Sequence, residues 1–139
     1  MQSVQVRDVM QRQVPTVTPN MPLTEVVNIL LANSVSGLPV VDQQRQVIGF
    51  ISEQDCIHAL LVSSYHCEGD PEVGDVMFAD PVVVSPADNM VDLAQNLGRG
   101  KPKVYPVAEN GKLVGIITRS QILTKLARMG CGWGDRASA

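Results

Sequence analysis

The chain has 139 residues, 45% of them apolar and only 4% aromatic, enough to bury one core made of aliphatic side chains. Its formal net charge of −3 opposes a nucleic-acid binder dominated by phosphate contacts. No segment approaches the roughly 20 apolar residues of a membrane-spanning helix, no signal peptide is visible at the N-terminus, and three dispersed cysteines (Cys56, Cys67 and Cys131) read as reduced thiols of a cytoplasmic protein.

Val6–Met10 opens the pattern with apolar residues at helix-like spacing, and Pro15-Thr16-Val17-Thr18 is β-prone. Pro22–Asn33 predicts a helix with Leu23, Val26, Val27, Leu30 and Leu31 on one face. Strands follow at Leu38–Val41 and Val47–Ile51, joined by a polar turn that includes Asp42-Gln43-Gln44-Arg45. Glu53–Ser63 predicts a second helix, and Tyr65–Glu72, with Gly69-Asp70-Pro71, a connector. The same order then returns: the lead-in Val73–Met77, the β-prone Val82-Val83-Val84-Ser85, and a helix over Asn89–Gly98 carrying Met90, Val91, Leu93, Ala94 and Leu97. Strands at Val104–Ala108 and Leu113–Ile117 flank Glu109-Asn110-Gly111-Lys112, where Asn-Gly is a hairpin signal. Arg119–Met129 closes as a helix, and the small-residue tail Gly130–Ala139, with its lone Trp133, reads as poorly ordered.

The repetition extends to individual residues. Val6-Arg7-Asp8-Val9-Met10 returns as Val73-Gly74-Asp75-Val76-Met77, and Leu38-Pro39-Val40-Val41-Asp42 as Tyr105-Pro106-Val107-Ala108-Glu109, each 67 residues on. Gly49-Phe50-Ile51-Ser52 returns 66 residues on as Gly115-Ile116-Ile117-Thr118, so the second copy has lost one residue, within its hairpin. Self-similarity of this length predicts a pseudo-symmetric α+β domain with a pair of related clefts.

Ser52-Glu53-Gln54-Asp55 carries the sharpest chemistry. Ser52 stands where a strand passes into a helix, and free N–H groups and the positive end of the helix dipole favour a phosphate there. Asp55, one turn later, points back to the same place, and a carboxylate accepts ribose hydroxyls. The same spacing is also that of a capping box, which Thr118-x-x-Gln121 fits even better, and an N-cap serine can do both. Gln121 lacks the charge and second acceptor oxygen of Asp55, which predicts unequal sites. Gly49 marks a close backbone approach. Arg99, Lys101, Lys103, Lys112 and Arg119 gather positive charge in the second repeat, opposed by Glu109. Arg119 reads equally as a phosphate partner or a solvated side chain. Cys56, His58, His66 and Cys67 match no zinc spacing, and the chain has no Walker or dinucleotide glycine motif and no nucleophile–base pair, so neither metal nor catalysis is expected.

The strand ending in Leu38-Pro39-Val40-Val41-Asp42 and the Gly-x-x-Ser/Thr-x-x-Asp turn, in the same order twice, resemble the tandem CBS domain family, over about residues 4–129. The resemblance implies two CBS motifs (β-α-β-β-α) at 4–64 and 73–129, a connector at 65–72 and a flexible tail at 130–139. It implies a stand-alone regulatory module that needs no cofactor and binds an adenosine-containing small molecule: AMP, ADP or ATP, with S-adenosylmethionine, NAD or no ligand as alternatives. Ser52 then takes phosphate and Asp55 ribose. Thr16, Val17 and Thr18 form the edge that meets adenine, and Ser36, Gly37, Leu38 and Pro39 the apolar wall. Lys101, Lys103, Tyr105, Pro106, Thr118, Arg119 and Gln121 are the second-site or phosphate candidates, with Tyr105 placed to stack on a base. The implied partners are a second copy, paired through apolar helix faces in a flat homodimer, and a separate effector protein; no nucleic acid or membrane is implied.

Overall fold

The computed structural model describes residues 3–66, 69–98 and 100–130. Arg99, Cys67, Cys131 and Trp133, singled out above, lie outside them, as do the side chain of His66 and the tail beyond Gly130. The elements follow the predicted order. A 3-10 turn at Val6–Asp8 precedes α1 (Leu23–Asn33), β1 (Gly37–Val41), β2 (Val47–Ser52) and α2 (Glu53–His66). Then come α3 (Val73–Val76), α4 (Met90–Gln95), β3 (Val104–Glu109), β4 (Lys112–Thr118) and α5 (Arg119–Met129).

β1 pairs antiparallel with β2, and β3 with β4, each hairpin containing one irregularity near its turn. Asn110 and Gly111 both take positive φ, 54° and 82°, as the Asn-Gly turn requires. The longer first turn is closed by the Asp42 side chain, whose Oδ1 accepts from the N–H groups of Gln44 and Gln46, both at 2.9 Å.

The β-prone segment of each repeat is not a strand. Val17 makes a single parallel bridge to Val40, and Val84 to Val107. Prolines explain the limit. Extending the first ladder needs an N–H from Pro15, Pro19 or Pro39, and the second meets Pro86 and Pro106. α4 is also shorter than predicted. Asn89 caps its start, accepting from the Asp92 N–H at 2.9 Å. At its other end the Asn96 side chain donates to the Asp92 carbonyl at 2.9 Å, competing with further helix. Leu31, expected on the buried face of α1, is 69% exposed, whereas Leu23, Val26 and Leu30 are core.

Two aliphatic clusters form the core, and the lead-ins are exchanged between them. Val6 and Met10 of the first repeat pack with Val84, Met90, Tyr105, Val107, Ile117 and Ile122 of the second. Val73 of the second packs with Val17, Leu23, Val26, Leu38 and Ile51 of the first. Backbone bonds follow the same exchange. Gln11 and Ile116 trade N–H···O bonds at 2.8 and 2.9 Å, and so do Phe50 and Phe78 at 2.9 and 2.8 Å. The close approach expected at Gly49 is present in both copies. A Cβ on Gly49 would stand 2.6 Å from the Met77 sulfur and 3.1 Å from the Phe78 carbonyl, and one on Gly115 would stand 2.5 Å from the Gln11 carbonyl. The hairpin tips also join: Val47 donates to the Gly111 carbonyl and Leu113 to that of Arg45, both at 3.0 Å. The repeats thus form one pseudo-symmetric unit, and no helix among the described residues is long and apolar enough to cross a membrane.

Candidate functional site

Both repeats build the same start to their last helix. The Ser52 N–H donates to Asp55 Oδ2 at 3.0 Å while the Asp55 N–H donates to Ser52 Oγ at 3.1 Å. The Thr118 N–H donates to Gln121 Oε1 at 2.9 Å and the Gln121 N–H to Thr118 Oγ1 at 3.1 Å. These are complete reciprocal capping boxes, so the amide of Gln121 makes the same capping contact as the carboxylate of Asp55. The chain entering each box matches as well: the Glu53 N–H donates to the Ser36 carbonyl at 2.9 Å, and that of Arg119 to the Lys103 carbonyl at 3.0 Å. Two of the first N–H groups of each helix are therefore already satisfied by protein. This reduces the open donors that the sequence reading assigned to a phosphate.

A cleft opens beside each box. The first, about 420 Å3, is lined by Ser52, Glu53, Asp55 and Ser36, by Phe50, Phe78 and Ile57, and by Lys103 of the second repeat. The second, about 400 Å3, is lined by Thr118, Arg119 and Gln121, by Ser36 and Lys103, and by Gln11. Ser36 and Lys103 thus border both. The pair is related by the repeat but differs in chemistry. The first holds two carboxylates, one lysine and both phenylalanines of the chain; the second holds Lys103 and Arg119 with no carboxylate and no aromatic ring.

The structure gathers Ser36, Ser52, Asp55 and Lys103 in one cleft, and Ser36, Lys103, Thr118, Arg119 and Gln121 in the other. Other candidates lie elsewhere. Val17 is fully buried, and neither it nor Thr16 nor Thr18 lines either cleft; the Thr18 hydroxyl instead donates to Asn20 Oδ1 at 2.9 Å. Leu38, Pro39 and Pro106 are buried in their strands. Gly37 acts indirectly: a Cβ there would lie 2.5 Å from the Phe50 ring, so the missing side chain lets that ring lie against β1. Tyr105, expected to stack on a base, is 4% exposed and belongs to the second core, because it occupies the inward position that Leu38 holds in the first repeat. Burial raises its phenol pKa and the Arg119 charge opposes that rise. Lys101 is exposed and lines neither cleft.

Sequence reasoning missed Phe50 and Phe78 as cleft residues. The available signal was that the only two phenylalanines occupy positions that pair across the exchanged lead-in, a placement invisible before the exchange was known. Cys56 is 3% exposed, and burial, with the nearby Asp55 and Glu53 charges, pushes its thiol up to about 11. It is a packing residue in a protonated state. Among the described residues no cluster of His, Cys, Asp and Glu is arranged to hold a metal ion.

A pair of exchanged β-α units with twin clefts between them defines a two-motif module. Residues 6–62 and 73–128 each match the CBS domain, and the chain belongs to that family. It is 31% identical over 121 residues to the uncharacterized protein MJ1225 of Methanocaldococcus jannaschii, covering 87% of this chain and 42% of that protein. It is 29% identical over 112 residues to the CBS domain-containing protein YhcV of Bacillus subtilis, covering 81% and 78%. Against CBSX1 of Arabidopsis thaliana, at 30% identity, it spans 56% of the relative. It thus spans about half the length of the first and last of these three. Among solved structures, CBSX2 in complex with AMP superposes with a TM-score of 0.78 at 28% identity, covering 90% of this chain and 97% of that one. A putative acetoin utilization protein (AcuB) from Vibrio cholerae superposes with a TM-score of 0.81 at 25% identity, covering 98% and 100%.

Proposed function

We propose that the chain is a regulatory module that binds an adenine nucleotide (AMP, ADP or ATP) in the cleft of Ser52 and Asp55 and passes its occupancy to a partner protein without chemical turnover. The observation that carries this reading is the makeup of that cleft. Asp55 spends one carboxylate oxygen on the Ser52 N–H, leaving Oδ1 to accept ribose hydroxyls. Phe50 and Phe78 supply an apolar wall for a base, and Lys103 a cation for phosphate. The likeness to CBSX2, whose crystal structure contains AMP, supports the same ligand class. Thr118, Arg119 and Gln121 form a second, weaker nucleoside site or a phosphate site. The module acts in the cytoplasm as a homodimer. Its exposed apolar helix positions, Ile57 and Leu61 on α2 and Leu123 on α5, supply the contact between copies.

A thermal-shift panel of AMP, ADP, ATP, S-adenosylmethionine and NAD tests the reading. Ligand at about 100 times Kd adds about 2.7 kcal/mol of stability, several degrees for a domain of this size. A shift with an adenine nucleotide is expected. A shift with S-adenosylmethionine or NAD alone reassigns the ligand, and no shift with any compound removes the sensory function.

A further inference from the structure

Besides the two clefts, each repeat carries a groove between its last helix and the lead-in packed on it. In the first repeat the groove is about 870 Å3 and runs between His58, Ala59 and Val62 of α2 and Asp75 and Val76 of α3. In the second it is about 420 Å3 and runs between Thr124, Lys125 and Arg128 of α5 and Asp8 and Val9 of the first lead-in. These residues correspond one to one at the spacing of the repeat. The grooves differ in their third wall. In the first, the chain that leaves α2 turns back and supplies Gly69, Asp70 and Pro71. It is pinned there: the Ser63 hydroxyl donates to the Gly69 carbonyl at 2.6 Å, and the Thr24 hydroxyl to Asp70 Oδ2 at 2.5 Å. The Pro71 carbonyl accepts from the Leu23 N–H at 2.9 Å. In the second repeat only the far end of this wall has a stand-in, since the Val4 carbonyl accepts from the Met90 N–H at 2.8 Å. Among the described residues nothing takes the place of Gly69 beside α5.

We propose that the chain beyond α5 supplies this wall, folding back along the helix and seating Trp133 in the groove of Val9, Thr124, Lys125 and Arg128. The chain leaves α5 at Gly130, where a φ of 57° turns it off the helix. Its sequence repeats the connector: Cys67 and Gly69-Asp70 return as Cys131 and Gly134-Asp135, with Trp133 between them. The reach is sufficient. Three residues span at most about 10 Å, and Lys125 lies about 7.5 Å back along the helix from Gly130. The groove also suits an indole. Val9 and the stems of Lys125 and Arg128 offer apolar surface, and their two cations face a ring with an electron-rich face. Asp135, two residues further on, brings the opposite charge to the same cations. Ser120 and Gln121 border both this groove and the second cleft, so the seated ring lies against residues that also face that cleft.

Trp133 is the only tryptophan, so intrinsic fluorescence of the full chain, excited beyond tyrosine absorption, reads the proposal directly. Seated, the indole emits at shorter wavelength in native protein than in denaturant, and acrylamide quenches it at least about twofold less steeply. Lys125→Glu and Arg128→Glu each move both readouts toward the denatured values while a cooperative melt shows the fold intact. Lys101→Glu, whose lysine lines neither groove, moves neither readout. Native emission and quenching equal to those in denaturant overturn the docking. Protection that survives both reversals overturns the choice of groove. Protection that fades on dilution places Trp133 on a second copy and overturns the intramolecular wall.

Discussion

Asp55 caps α2 and, in the proposed function, also holds ribose, two tasks that one substitution confounds and two substitutions separate. Asp55→Ala removes the acceptor of the Ser52 N–H bond, a contact of 3.0 Å, and so opens half of the capping box. Loss of such a cap costs about 0.5–2 kcal/mol of stability. If the carboxylate also holds ribose hydroxyls, nucleotide affinity falls by a further 1.5–3 kcal/mol or so, about 10- to 150-fold. Asp55→Gln is the informative companion, because the chain already contains its result: Gln121 accepts from the Thr118 N–H at 2.9 Å in an intact box. The glutamine variant should therefore keep most of the melting temperature while losing the charge-assisted bonds to the ligand. Chemical denaturation and isothermal calorimetry on both variants give the two quantities separately. Unchanged affinity in folded Asp55→Ala protein would falsify the ribose assignment and leave the residue as a cap.

The clefts differ enough that calorimetry should find one tight nucleotide site per chain, or two of unequal affinity; two equal sites would show the exchange of Asp for Gln to be immaterial. Lys103→Ala should weaken ATP more than adenosine, with the difference shrinking as salt rises; equal losses for both, or none, leave the lysine without a role in reading phosphate. Gly115→Ala should destabilise by about 1–3 kcal/mol, since its Cβ meets the Gln11 backbone, and Gly49→Ala by less, since the Met77 thioether can move. A smaller loss at Gly115 in denaturant titrations contradicts the exchanged packing. With Cys67 and Cys131 replaced by serine, the Cys56 thiol should react with a disulfide reagent at pH 8 far more slowly in the folded protein than in denaturant, as a pKa near 11 and burial require; equal rates would contradict the buried placement.

The sequence carried the repeat, both hairpins and four of the five α-helices among the described residues, because each rests on short-range signals: apolar spacing, the Asn-Gly turn, and a capping residue followed by its partner three positions on. The short β segments were misjudged since β propensity at Val82-Val83-Val84 was outweighed by the missing N–H groups of prolines in their own and the facing strand. Ser52 and Asp55 were legible because they are neighbours along the chain. The exchange of lead-ins was not, because nothing local in Val6–Met10 distinguishes packing on its own hairpin from packing on the other one. The same gap hid Phe78, which reaches the first cleft only by that exchange, and it misplaced Tyr105, whose inward register follows from strand pairing rather than residue type.

In the proposed function, the exchange also bears on how a binding event would become a signal. Phe78 belongs to the second repeat yet is bonded through its backbone to Phe50 in β2 of the first. Lys103 belongs to the second repeat yet borders the cleft of Ser52 and Asp55. A ligand seated there would touch both repeats, and its affinity would depend on how they lie relative to one another. Only a ligand with such a dependence can shift the balance between two arrangements. A pocket contained within one repeat would be blind to that geometry, however tightly it bound. Ser36 and Lys103 border the second cleft as well, so in the proposed function the relative position of the two hairpins is the quantity a partner protein would read.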